Sequence, residues 1–276
     1  MLVQAKLGIR IHTFENGNLN MSDQNIPSSS SNTASDSAVD SMSTAETLGN
    51  IFFDPGATFE SLRKKPRFLV VALIMVVMFV GFSALLFQKV NFEEFVRQQI
   101  EKSPRTAQMT PEDKEKAVKM QSGPIGKTIA HILPIVAVAV MFSAGAGLYL
   151  LGVIAMGGVM SYKQAISVWA YSSLPPAVLG TLVGVIVLLM KPADSIDLAH
   201  PESITQANLG LLASSTSGPI YAFLSQMDLF QFYGLFLAAL GLRKIGRISS
   251  GAAWTIVLAF FIIKVLGKVG WASMFG

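Results

Sequence analysis

The sequence predicts an all-α integral membrane protein: a helical bundle of five transmembrane helices behind a disordered N-terminal tail. Three observations carry that prediction. Of the 276 residues, 51% are hydrophobic and only 14% charged, far below the roughly 25% charged residues of a soluble domain. Apolar runs of spanning length recur along the chain. Residues 1–50, by contrast, are polar and Ser-rich, too poor in apolar side chains to offset the entropy of ordering them. The chain therefore divides into a disordered cytoplasmic tail, 1–50, and a membrane domain, 51–276.

Within the tail, residues 1–20 contain Lys6 and Arg10 but lack an apolar run long enough for a signal peptide. Met21-Ser22-Asp23 is a second plausible start. The tail ends at Phe52-Phe53-Asp54-Pro55-Gly56. Ala57 to Lys65 then reads as a short amphipathic helix with Phe59 and Leu62 on one face, stopped by Pro66. The expected place for it is the membrane surface, with Phe59 in the lipid and Arg63, Lys64, Lys65 and Arg67 at the headgroups, as lipid or partner contacts.

The first span, about 68–88, is the clearest. Phe68 to Phe87 is twenty residues without a charge, about 30 Å of helix and the thickness of the hydrocarbon core. The polar loop that follows, 88–126, should hold two short helices as a solvated hairpin. One runs from Asn91 to Lys102. The other opens at Thr110-Pro111-Glu112-Asp113: an N-cap, a proline at the first helical position, and acids in the first turn. A second span is placed at 130–155, broken by Gly157-Gly158. The third, 166–190, starts with Trp169 and Tyr171, and Pro175-Pro176 should kink or break it in its first third. Residues 192–218 form a turn-rich loop with Asp194, Asp197 and Glu202.

The fourth span needs more than the uncharged run Leu229 to Leu242, so it is placed at 220–242, with Asp228 in its outer end and Arg243, Lys244 and Arg247 closing it. The fifth runs about 251–271. Trp254 and Trp271 are seventeen residues apart, about 26 Å along a helix, which suits two aromatic belts. The basic clusters 63–67 and 243–247, with Lys163, fall on one side of this arrangement. The positive-inside rule then puts the N-terminus in the cytoplasm and the C-terminus across the membrane. An integral membrane location is expected.

Composition also excludes function classes. There is no Cys, and the three His, at 12, 131 and 200, are scattered, so no metal site built by sequence neighbours is expected. No cofactor or nucleotide motif is present. The net charge of +4 would raise nucleic acid as a partner on a soluble chain. Here the basic residues flank apolar spans, which points to membrane lipids instead. A Ser172 or Ser173 nucleophile with His131 as base is conceivable, but serines in membrane helices mostly bond backbone carbonyls or a neighbouring helix. No catalytic residue is assigned.

The candidate functional residues are the exceptions within the spans. Asp228 is either an N-cap at headgroup level, with Leu229 the first helical residue, or a partner for Lys264 or a cation. Lys264 either snorkels outward or pairs with Asp228. Pro175-Pro176 with Tyr171 is either a packing kink or a broken-helix ligand site. Gly180 and Gly184 form a GxxxG, for packing within one bundle or for a homo-oligomer.

Four stretches in order resemble the Yip family, five-pass membrane proteins named for interacting with Ypt/Rab GTPases, and most closely its bacterial branch. They are FFDPGATFESLRKKPRF, IEKSPRTAQMTPEDKEKA, SYKQAISVWAYSSLPPAVLG and MDLFQFYGLFLAALGLRKIGRISSGAAW. Asp54-Pro55-Gly56 stands where eukaryotic members carry Asp-Leu-Tyr-Gly-Pro, so direct GTPase recognition is not implied. The resemblance implies a non-enzymatic membrane organiser or trafficking adaptor that works through lipids and an unidentified membrane or cytoplasmic protein. The alternative is a small permease or channel whose path is lined by Tyr171, Asp228 and Lys264.

Overall fold

In the computed structural model the described residues are 42–103, 106–193, 196, 204, 207–213 and 218–275. Most of the predicted tail, 1–41, lies outside them, as do Asp194, Asp197 and Glu202 of the predicted acidic loop. The regular elements among the described residues are all helices, with no strand.

The first helix is one the sequence reading left inside the tail. Helix α1, Thr44–Phe53, opens on a capping box in which Ser43 Oγ accepts from Glu46 N at 3.2 Å and Ser43 N donates to Glu46 Oε2 at 2.6 Å. The capping box satisfies two backbone donors that a helix start otherwise leaves open. Thr47 and Ile51 on its inner face are fully buried. Asp54 then caps α2, Pro55–Lys64, accepting from Ala57 N at 3.0 Å with Pro55 in the first turn.

The first span is α3, Leu69–Lys89, within a residue of its expected limits. The polar loop is the helical hairpin the sequence indicated. Asn91 caps α4, Phe92–Lys102, and Thr110 caps α5, Pro111–Ser122. Arg97 ties them together with bonds of 2.6 and 3.4 Å to the Glu115 carboxylate, over a small core of Val96, Ile100 and Val118.

The second span is longer than expected. Helix α6, Pro124–Ala155, starts at a proline six residues before the predicted limit and runs for 32 residues, about 48 Å. Gly157, at φ 76°, turns the chain back, a conformation that costs glycine nothing. Ser161 and Gln164 form a second capping box for α7, Tyr162–Met190. This helix is unbroken through Pro175-Pro176, where a break or kink was expected. The pair removes two backbone donors, but Pro175 is buried and Pro176 rests on α9 at Gly234, so neighbouring helices hold the segment in place.

The fourth span is corrected most. No continuous helix starts at 220. A short α8, Gly218–Leu224, is followed by a break at 225–227, and α9, Leu229–Gly246, begins after Asp228. The last helix is α10, Ser250–Phe275. Four helices (α3, α6, α7 and α10) are long and apolar enough to cross a membrane. The fifth apolar helix, α9, has 18 residues, about 27 Å, and packs against both α7 and α10.

Outward faces of the long helices carry exposed Leu73, Val77, Val140, Leu151, Leu182, Ile186, Ile263 and Leu266. Such faces suit lipid, since hydrocarbon is as apolar as they are. The packed core is concentrated at one end, where α1 and α2 join the first half of α7 and the second half of α9. Phe59, Leu62, Val168, Tyr171, Leu242 and Ile245 meet there, all essentially without solvent access.

Candidate functional site

Two places among the described residues hold several of the expected site residues. The first is the basic end of the bundle. Helix α2 docks on α9, Gln164 Nε2 of α7 donates to Arg63 O at 2.8 Å, and Val159 N donates to Gly246 O at 3.2 Å. These contacts bring the ends of α2, α7 and α9 together. The basic clusters that lie 180 residues apart in sequence therefore share one end. Lys64, Lys65, Lys163, Arg243 and Arg247 are exposed there. Arg63 pairs with Glu60, and its guanidinium, helped by the charges of Lys244 and Lys64, holds the Glu60 carboxyl below the usual carboxylate range. Arg67 Nη1 reaches Thr44 Oγ1 at 3.4 Å.

Phe59 does not contact lipid, contrary to the surface-helix expectation. It is fully buried, and a Cβ built on Gly241 would lie 2.8 Å from Phe59 Cε1 and 2.9 Å from Val168 Cγ1. The apolar face of α2 is used up inside the protein, so only its basic face is free. Amphipathicity alone cannot distinguish these two solvents, because lipid and a protein core select the same side chains.

Tyr171 is also relocated. It lies fully buried, its hydroxyl 3.1 Å from Thr47 Oγ1 of α1. It belongs to the docking of α1 and does not line a path. Thr47 was missed because it fell in the assumed tail. The signal was present: Ser-x-x-Glu at 43–46 before an apolar run is a helix start.

The second place is a cavity of about 530 Å³ between α6, α7, α9 and α10. It brings together Asp228, Lys264, Pro176 and Gly180 of the predicted set, and adds Gln231, Ser172, Ser173, Tyr149, Trp169 and Phe260. Asp228 is the N-cap of α9, accepting from Gln231 N at 2.9 Å. Lys264 Nζ donates to Gln231 Oε1 at 2.5 Å. The Asp228–Lys264 ion pair is not formed: among the described residues no carboxylate lies within 4.0 Å of the Lys264 ammonium. Lys268 Nζ, one turn on, reaches Ser225 Oγ at 3.1 Å, so Lys264 addresses the first turn of α9 and Lys268 the break before it. Gln231 was overlooked, although a lone polar residue in an apolar run is a usable signal.

The other candidates are placed as follows. Ser172 Oγ donates to Trp169 O at 3.1 Å, while His131 Nδ1 donates to Lys127 O at 2.7 Å and its ring packs on Phe87. The imagined nucleophile and base are not brought together. Gly180 faces Phe230 with a built Cβ at 3.7 Å, an ordinary contact, and Gly184 is buried. The tight approaches lie elsewhere, at Gly241 and at Gly145 against Trp169.

Together these features define a multi-pass α-helical membrane protein with a basic terminal face and an internal, partly polar cavity. The chain belongs to the Yip1 domain family, whose model matches residues 49–272. It is also similar to Membrane protein YknW of Bacillus subtilis, with 27% identity over 219 residues, covering 79% of this chain and 87% of that one. No solved structure matches it.

Proposed function

We propose that this protein is a non-enzymatic membrane organiser or adaptor, acting through lipid and protein contacts at its basic end. The observation that carries this reading is the convergence of Lys64, Lys65, Lys163, Arg243 and Arg247 on one exposed surface built from three separate chain segments. Each basic residue near an anionic leaflet is worth about 1 kcal/mol, so five give a surface that holds lipid headgroups or an acidic partner segment. The basic end faces the cytoplasm, by the positive-inside rule. An odd number of crossings puts the C-terminus on the opposite side, and the bacterial relative supports a bacterial inner membrane.

The test is cross-linking of the tagged full chain in native membranes, with mass spectrometry of proteins and lipids. A stoichiometric partner that is lost when Lys64 and Lys65 are changed to Glu supports the adaptor. Retention of that partner by the reversed variant, or recovery of self-association alone, overturns it.

A second reading, a small permease, has the cavity in its favour, since Asp228 and Lys264 both line it. Tyr171 is not part of that path. Loss of function in both Asp228→Asn and Lys264→Met, at normal expression, would favour transport over the adaptor.

A further inference from the structure

The cavity between α6, α7, α9 and α10 has two kinds of wall. One is aromatic: the Tyr149 ring lies tilted against Trp169, with centroids 5.0 Å apart, and against Phe260 at 6.3 Å. The other is polar, where Asp228, Gln231 and Lys264 meet. The two charges there are not equally satisfied. Asp228 caps the start of α9, and the positive end of the helix dipole offsets its carboxylate. Lys264 has a neutral amide for its partner. It lies seven residues from Trp271 along α10, about 10 Å inside the aromatic belt. A cation at such a depth is costly unless an anion or water accompanies it.

The cavity also opens sideways. Met141 and Leu148, which line it from α6, are 58% and 43% exposed, and Lys264 is exposed as well. On a membrane-spanning bundle these faces meet hydrocarbon and headgroups. A molecule entering by this route brings an apolar chain with it. The size of the cavity is within the range that holds small ligands, about 300–1,000 Å³.

We propose that this cavity binds an anionic membrane phospholipid, with the headgroup phosphate on the Lys264 ammonium and an acyl chain along Tyr149, Trp169 and Phe260. Lys264 supplies the charge, Gln231 orients it, and Gly180 leaves the room. The site is independent of the basic end of the bundle, and it stands whether or not the adaptor reading holds.

The full chain is reconstituted in phosphatidylcholine nanodiscs containing a trace of photoactivatable phosphatidylglycerol, and the cross-linked peptides are mapped by mass spectrometry. The expected label falls on α7 and α10. Lys264→Gln should lower it about tenfold, the loss of one charge-assisted contact, and Lys264→Arg should keep it. Gly180→Leu, which fills the space, should also lower it. Lys64→Gln with Lys65→Gln should leave it unchanged, which separates this site from the basic end. Unlabelled phosphatidylglycerol should compete, whereas neutral diacylglycerol and inorganic phosphate should not. Equal labelling of Lys264→Gln and the unchanged chain overturns the proposal. Equal competition by diacylglycerol reduces the site to an apolar crevice, and displacement by inorganic phosphate makes it a phosphate site rather than a lipid site. Either result also overturns it.

Discussion

The same two helices, α7 and α9, are closed at one end and open at the other. They run antiparallel, so that Val168 faces Gly241, Pro176 faces Gly234, and Gly180 faces Phe230. At the basic end a third helix fills the space between them: Phe59 of α2 wedges against Gly241 and Val168. At the other end no described residue plays that part, and the cavity with Asp228, Gln231 and Lys264 remains. A gap between packed helices can be a slot for the protein's own side chain or a site for something else. What separates the two here is whether a neighbouring segment carries a large apolar residue at the right height.

The largest expected effect is at the closed end. Phe59→Ala should cost about 3–5 kcal/mol, by loss of transfer energy and creation of a cavity. It should be read as a lower unfolding midpoint of the full chain in detergent, together with new protease cleavage around 54–67. An unchanged midpoint would mean that α2 does not depend on its slot.

One substitution made at both ends sharpens the contrast. Gly241→Ala puts a methyl 2.8 Å from Phe59 and should destabilise by about 1–3 kcal/mol through overpacking. Gly180→Ala meets Phe230 at 3.7 Å and should stabilise by about 0.5–1 kcal/mol, the gain of alanine over glycine within a helix. Thermal unfolding of both variants gives the two signs directly. The same sign for both would erase the distinction between a filled and an open gap.

Polar contacts should rank below the losses at Phe59 and Gly241. Thr47→Val leaves the Tyr171 hydroxyl without its partner on α1 and should cost about 1–2 kcal/mol. Asp228→Ala removes the cap of α9 and should cost about 1 kcal/mol, while Asp228→Asn should cost little, because asparagine caps equally well. If Asp228→Asn costs as much as Asp228→Ala, the carboxylate charge matters to the fold beyond capping.

The smallest effect is acid sensitivity in the α4–α5 hairpin. Its Arg97 guanidinium holds the Glu115 carboxyl below the usual carboxylate range. The stabilisation is therefore fully present above that range and is lost as pH falls through the lowered value. Amide protection in α4 and α5, taken relative to the intrinsic exchange rate at each pH, should fall at low pH, and Glu115→Gln should remove most of that fall. A fall in protection that is just as large in Glu115→Gln would assign the effect elsewhere.

Much of this molecule was legible in the sequence. Spans α3, α7 and α10 are long apolar runs bounded by charges, and the caps at Thr110 and Asp228 are local patterns that need no tertiary partner. Two elements were misread for opposite reasons. Helix α1 was assigned to the tail because composition averaged over fifty residues hid a capping box eight residues from its end. Helix α2 was recognised but given to the lipid, because its apolar face does not say which apolar medium it enters.

The candidate residues divide in the same way. Asp228 and Lys264 stand out as charges in apolar runs, which is a one-dimensional property. That Gln231 stands between them, and that Tyr171 turns away to Thr47, depends on which helices are neighbours. By itself the sequence determined the class of protein and most of its helices, with the capped starts at Thr110 and Asp228, since hydrophobic length and capping are set by residues a few positions apart. The order of the spans already put the two basic clusters and Lys163 on one side; only the tertiary structure joined them into one surface, and only it decided that Phe59 closes one gap and that no described residue fills the second. Those are facts of helix-to-helix distance, and no spacing along the chain contains them.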